Sequence, residues 1–370
     1  MGERVLVVEA PGRAVVCDER EAEPLADGEF HVRTLYSGLS AGTELSFFKG
    51  TNPALHAQWD PELGLFRPVA TGSGYPVRKL GYMEVGTVTE SRAAGVTAGS
   101  VVAMTYGHRT GYRGNPLRDR VIVLPEALDP VLGVYVAHMG PICANGLLHA
   151  AAELHGTDVR SLADGVRGRR VVVTGGGVVG LLTGLFARHH GAAEVVVVDP
   201  TPQRRAAATA LGLTAADPDA TDLAVELKSR WRHGPGDRGA DVVFQCRGRS
   251  SGLALALRLL RPQGAVIDLA FYPDGAGDVR LGEEFHHNGL TVRCAQIGRV
   301  PRGTAHAWDR ERLSAETVDL LLSAHEAITR HMITTRVPFE EAPGLLTDLA
   351  ARRTHVLQAV LTFREPHGRF

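Results

Sequence analysis

The segment that most limits how this chain can fold is an apolar run, Val171-Val172-Val173-Thr174, that passes directly into Gly175-Gly176-Gly177-Val178-Val179-Gly180 and then an Ala/Leu-rich stretch to about His190. A strand, a glycine turn of the pattern GxGxxG and a helix in that order form a dinucleotide-binding βα unit. Gly175 allows the tight turn, Gly177 lets the backbone approach a pyrophosphate, and Gly180 lets the helix pack closely on the strand. The helix start at Val178 and Val179 offers unpaired N–H groups to the phosphates. A second apolar run, Val195 to Val198, ends in Asp199, nineteen residues past Gly180. There a carboxylate accepts hydrogen bonds from the ribose hydroxyls and repels a 2′-phosphate. NAD is therefore expected, with NADP left open because Arg204 and Arg205 lie close by. Arg205 reads as a solvated charge at a helix start.

Around this unit the chain changes character. From residue 1 to about 135, short β-branched runs punctuated by Gly and Pro, among them Val5 to Val8, Phe30 to Tyr36, Val85 to Thr89 and Val101 to Thr105, predict an all-β lobe. From about 140 to 298 strand-like runs alternate with helical stretches, the signature of a buried parallel sheet. A helix from Ser314, as N-cap, to about His331 is expected next, and Val356 to Phe363 read as a strand returning to the first lobe. A chain of 370 residues has room for two or three lobes.

Composition narrows the class further. Forty Lys and Arg against 41 Asp and Glu, with 44% hydrophobic residues, describe a globular enzyme with no field to attract a polyanion, so nucleic acid is not an expected partner. Four separated cysteines suggest neither a disulfide framework nor a clustered cysteine zinc site. No run reaches the roughly 18 apolar residues of a membrane span, and the start of the chain lacks a signal-peptide pattern. The expectation is a cytoplasmic protein acting on a small molecule without a membrane partner.

The order of parts resembles the medium-chain dehydrogenase/reductase superfamily, carried by Ser37-Gly38-Leu39-Ser40-Ala41-Gly42-Thr43-Glu44, by Gly81-Tyr82-Met83-Glu84-Val85-Gly86, by Ala240 to Gly248 and by Leu260-Arg261-Pro262-Gln263-Gly264. The resemblance implies an α/β fold: a GroES-like β-barrel catalytic domain (1–140), a Rossmann domain with a doubly wound parallel sheet (141–298), and a C-terminal return to the catalytic domain (299–370). It also implies that Cys246, Phe271 and Gln296 lie along the nicotinamide side of the cofactor site. In the family's zinc alcohol dehydrogenases the first motif supplies a Cys and the second a His. Here Ser40, with one extra residue, and Tyr82 stand in those places, and neither hydroxyl is a normal zinc ligand. No metal site is expected.

Without zinc, the proton of an alcohol needs a side chain. The resemblance places Thr43 at a proton-relay position and Glu44 at a supporting acid. Tyr82 is the expected proton donor or acceptor, oriented by Glu44, with Thr43 or Ser40 bonding the substrate oxygen. His138 and Asn145 are further candidates, and His108 and Tyr112 are expected to line the mouth of the cleft. The run Glu283 to Gly289, with His286 and His287, reads as a solvated turn or a cleft-reaching one. The expected activity is a zinc-independent exchange between a secondary alcohol and a ketone on a hydroxyl-rich small molecule. Reduction of an activated C=C bond and an idle, NAD-binding regulator are the alternatives. The last strand, Leu290 to Ala295, would present an open edge for a homodimer.

Overall fold

Four apolar runs between residues 170 and 268, together with Thr214–Ala216 and Thr291–Cys294, form one six-stranded sheet in which every neighbouring pair is parallel. Its spatial order is Thr214–Ala216, Glu194–Val198, Arg170–Thr174, Ala240–Gln245, Leu260–Asp268, Thr291–Cys294. Numbered by occurrence this is 3-2-1-4-5-6, the doubly wound arrangement whose ligand crevice lies where the order reverses. The inner strands are apolar because both faces are covered, whereas the edge strands Thr214–Ala216 and Thr291–Cys294 are largely not buried. One side of the sheet packs Val172, Val196, Val243 and Val266 against Leu253, Ala256 and Leu257 of helix Ser250–Leu259.

The computed structural model describes residues 2–19, 24–68, 74–273 and 275–363. The chain divides into two units, Met139–Met332 and Met1–His138 with Ile333–Phe370. Thus the segment after Gly298 stays with the parallel sheet as far as Met332, and the return to the first unit begins at Ile333. Helix Arg310–His331 starts before the expected Ser314: Asp309 is its N-cap, accepting the Arg312 N–H at 2.8 Å, while Ser314 is buried within the helix. The first turn is charged, so the apolar periodicity visible in the sequence begins only at Leu313. Close packing holds this helix to Met139–His155, where a Cβ on Gly140 would lie 2.1 Å from the Thr317 methyl.

The first unit is built on the ten-residue strand Phe30–Leu39. It pairs antiparallel with Glu84–Ser91 on one side and with the C-terminal strand Gln358–Thr362 on the other. Gly111–Gly114 pairs with its first half. The unit is not all β, because the strand passes into helix Ala41–Lys49. Glu44 in the first turn and Lys49 in the last suit the helix dipole. Gly50 closes the helix at φ 76°, its N–H reaching the Phe47 and Ser46 carbonyls. The helix is nine residues long and only Phe48 is a buried apolar side chain within it, packed with Leu6, Leu39, Leu80 and Phe339. So short an apolar signal reads as loop from sequence. Among the described residues no helix is long and apolar enough to cross a membrane.

Candidate active site

In the parallel-sheet unit the glycine turn is shaped by contacts that tolerate no larger residue. Gly175 has φ +104°, and a Cβ on Gly180 would lie 1.7 Å from the Gly175 carbonyl oxygen. Gly177, the N-cap of helix Val178–His189, differs: a Cβ there would meet no protein atom within 4 Å. The first two glycines serve the fold and the third leaves open space at a helix N-terminus, which suits a pyrophosphate. A dinucleotide therefore fits these residues, with Val178 and Val179 presenting the first helical N–H groups.

Asp199 is buried at the end of the next strand. Its Oδ2 accepts the Gly176 N–H at 2.8 Å and its Oδ1 the Thr201 N–H at 2.8 Å, with the Arg204 guanidinium 3.4 Å away. Burial alone would raise its pKa, but the Gly176 and Thr201 N–H groups and Arg204 hold the carboxyl below its ordinary value. The carboxylate thus anchors the glycine turn from the end of the neighbouring strand. Arg205 is not a solvated charge: it donates to the Asp199 carbonyl at 2.8 Å and pairs with Asp217 at 2.7 Å, which leaves Arg204 as the cation beside the carboxylate.

The other residues expected near the cofactor are distributed unevenly. The Cys246 thiol faces Thr183 at 4.0 Å, and burial pushes its pKa up. Phe271 is half exposed, and Gln296 folds its side chain onto the Gly298 N–H of its own loop at 2.6 Å. Asn145 is wholly buried, and its amide spans the Ala295, Gln296 and Arg299 carbonyls at 3.2–3.4 Å, so it shapes the loop after the last strand. A buried chain at the strand ends escaped the sequence reading: Thr174 to Gln245, Gln245 Nε2 to the Tyr272 hydroxyl at 3.0 Å, and that hydroxyl to Asp268 at 2.8 Å. His286 and His287 lie in an exposed turn.

In the first unit the strand-to-helix junction gathers the remaining candidates. Ser40 is the N-cap of helix Ala41–Lys49, and its backbone N–H is held by Glu44 Oε1 at 2.8 Å. The Tyr82 hydroxyl lies 2.5 Å from Ser40 Oγ and 3.5 Å from Thr43 Oγ1. The His138 ring meets the Tyr82 ring edge-on, with centroids 4.6 Å apart. Burial raises the Tyr82 pKa, and the nearby Glu44 and Glu84 charges add to that rise against the Ser40 and Thr43 hydrogen bonds. Tyr82 is therefore a neutral phenol at ordinary pH, a proton donor rather than a ready base.

His108 is wholly buried and lines no cleft mouth. Its Nε2 lies 2.8 Å from Glu44 Oε2 and its Nδ1 2.6 Å from Ser37 Oγ, which itself donates to Glu84 Oε1 at 3.1 Å. Tyr112 stacks on Tyr106 and donates to Asp119 at 2.9 Å, so it too is committed to structure. Burial by itself would lower the His108 pKa, but the charge and hydrogen bond of Glu44, with the charge of Glu84, carry it above the ordinary imidazole value. Burial raises that of Glu84. Ser37 and Glu84 were visible only as motif letters; the signal for them was a carboxylate between Met83 and Val85 in an apolar strand.

The parallel sheet in doubly wound order with an acid after its second strand defines a dinucleotide-binding fold. Residues 178–310 match a family model described as zinc-binding dehydrogenase. D-guloside 3-dehydrogenase of Escherichia coli (strain K12) is 27% identical over 327 residues, covering 86% of this chain and 88% of that protein. Among solved structures, a dehydrogenase of zinc-binding type from Sinorhizobium meliloti 1021, bound to NADP, superposes with a TM-score of 0.71 at 22% identity over 98% of this chain and 99% of its own. An alcohol dehydrogenase from Thermotoga maritima gives 0.73 at 19% identity over 98% and 100%. Over most of its length this chain is similar to medium-chain dehydrogenases/reductases; it has the fold of a GroES-like catalytic domain and a Rossmann domain, and it is an NAD(P)-dependent dehydrogenase.

Replacing Asp199 by Asn removes the charge while keeping a hydrogen-bonding side chain, and releases Arg204. The ratio of NADP to NAD affinity is expected to rise by about 10–100-fold, the scale of a hydrogen bond to a charged group. Fluorescence titration with both reduced cofactors reads it, and an unchanged ratio removes Asp199 from cofactor choice.

Proposed function

We propose that this dehydrogenase interconverts a secondary alcohol and a ketone on a hydroxyl-rich small molecule, preferring NAD and using Tyr82 in place of a catalytic zinc. The observation that carries the reading is the Tyr82 hydroxyl bonded to Ser40 at 2.5 Å with Thr43 beside it. The name of the guloside-oxidising relative supports a sugar or cyclitol. Hydroxyls and the His138 ring suit such a substrate, and the engaged Asp199 carboxylate disfavours a 2′-phosphate.

Zinc does not suit this donor set. The two hydroxyls that occupy the family's Cys and His places are bonded to each other, and each is a poor ligand while protonated. Elemental analysis is expected to find well under one zinc per chain; a full equivalent, with activity lost on chelation, would overturn this.

The bound nicotinamide supplies or accepts the hydride. In reduction the Tyr82 O–H donates its proton to the ketone oxygen as the hydride reaches the carbon, and the Ser40 hydroxyl hydrogen-bonds the phenolate that results. Oxidation reverses this and needs Tyr82 deprotonated, which its raised pKa opposes near neutrality. Reduction is therefore the easier direction for these residues.

The open edge Thr291–Cys294, with Val292 exposed, supports a homodimer, and cytoplasm is the proposed location. Light scattering should give twice the chain mass at micromolar concentration, and a stable monomer refutes the pairing.

Tyr82→Phe removes only the hydroxyl. Single-turnover hydride transfer should slow by about 10²–10⁴-fold while NADH affinity holds. For the wild type, a proton donor is present below its pKa and lost above it, so reductive turnover should stay level through neutral pH and fall only above about pH 10. A loss below about threefold in the phenylalanine variant returns the proton to Ser40, His138 or water. Label from reduced cofactor found on a carbon β to a carbonyl would favour C=C reduction, and tight binding without turnover a regulator.

A further inference from the structure

Behind Tyr82 lies a cluster that the proposed proton transfer does not use directly. Glu44, His108, Ser37 and Glu84 are all buried to within 1% and come from four segments: helix Ala41–Lys49, the loop after strand Val101–Met104, strand Phe30–Leu39 and strand Glu84–Ser91. Ser37 and Glu84 are direct cross-strand partners. The packing leaves no slack: Gly81 has φ +98°, and a Cβ there would lie 2.7 Å from the His108 ring. The residue preceding Tyr82 is thus seated on the imidazole face.

With Glu44 and Glu84 both ionised, the hydrogen bonds take one sense. Ser37 donates to Glu84 Oε1, so its oxygen is left to accept from His108 Nδ1–H, while Nε2–H donates to Glu44 Oε2. Both ring nitrogens act as donors, which only the imidazolium can do. A cation therefore sits between two carboxylates, and one of them, through its other oxygen, holds the backbone N–H of Ser40. The groups that face Tyr82 are Glu44 from the helix, Glu84 from its own strand, the His138 ring, and the Ser40 and Thr43 hydroxyls.

We propose that His108 is a positioning residue for Tyr82: its imidazolium clamps Glu44, and through Ser37 Glu84, so that the Ser40–Thr43 turn is held against the phenol and the negative charge behind it is offset. This rests on the reading of Tyr82 as the proton donor. The buried carboxylates otherwise make the phenol harder to ionise and its conjugate base harder to form in the reaction. Removing the cation while leaving both acids in place should expose that effect.

The experiment compares full-length wild type with His108→Gln, which keeps one amide donor toward Glu44, and with Ser37→Ala, which cuts only the link to Glu84 should the first variant fold poorly. Chains carrying ¹³C at the tyrosine ring carbon bonded to oxygen are titrated by NMR, the Tyr82 resonance being assigned by its loss in Tyr82→Phe. In folded His108→Gln this resonance is expected to titrate at higher pH, with a smaller shift the same way in Ser37→Ala. Reductive kcat should fall about 10–100-fold with KM within about threefold, as for misplacement of a reacting group. If the resonance titrates as in wild type, the proposal is overturned, whatever happens to kcat. If it shifts, the clamp is supported, and an undiminished kcat then counts against Tyr82 as proton donor instead.

Discussion

The contact on which the cofactor half of this protein depends is the approach of helix Val178–His189 to the strand before it. With 1.7 Å between the place of a Gly180 Cβ and the Gly175 carbonyl, only hydrogen fits. That closeness seats the helix on the sheet and aims its N-terminus across the reversal of strand order. The turn is held a second time from the side, because Asp199 binds the Gly176 N–H. One carboxylate thus couples the shape of the glycine turn to the end of the neighbouring strand, and any change in its charge is felt by the turn.

In the other unit the corresponding constraint is electrostatic. A buried Glu–His–Glu arrangement is a poor way to gain stability, since desolvation cancels much of the attraction and apolar residues of equal volume often do as well. Breaking one side is costly, on the order of 3–5 kcal/mol, because the remaining charge is stranded. Such a cluster is then best understood by what it holds in place. Here it holds the N-terminal turn of a nine-residue helix too short to be stable by propensity, and that turn carries the hydroxyls that touch Tyr82.

The sequence made some of this legible and hid the rest for definable reasons. The strand–turn–helix at Val171 to Gly180 and Asp199 were readable because their spacing is set by backbone geometry, which few sequences imitate. Gathering Ser40, Thr43, Glu44 and Tyr82 depended on motif positions, and the pairings among them needed coordinates. His108 was misplaced to a cleft mouth because polar residues in a Gly/Arg-rich loop normally face water; its partners lie 64 and 71 residues away in the chain. Asn145 read as a cofactor or substrate contact from its place beside the family's third ligand position; its amide N–H groups go to carbonyls about 150 residues on, which no sequence spacing shows. Helix Ala41–Lys49 was lost among strands because it buries a single large apolar side chain.

If a phenol stands in for a metal, as proposed, the surrounding acids do something different. Beside zinc, a neighbouring carboxylate steadies a cation; beside Tyr82 it raises the phenol's affinity for its proton. In the proposed reading an imidazolium set between the two carboxylates offsets part of that effect, while burial acts in the same direction as the acids. Under the proposed mechanism, burial and the carboxylates would keep the proton on Tyr82 until a stronger acceptor, the oxygen of a carbonyl receiving hydride, develops next to it. In the reverse direction the same arrangement leaves the phenol reluctant to become a base, unless a positive charge is brought to it.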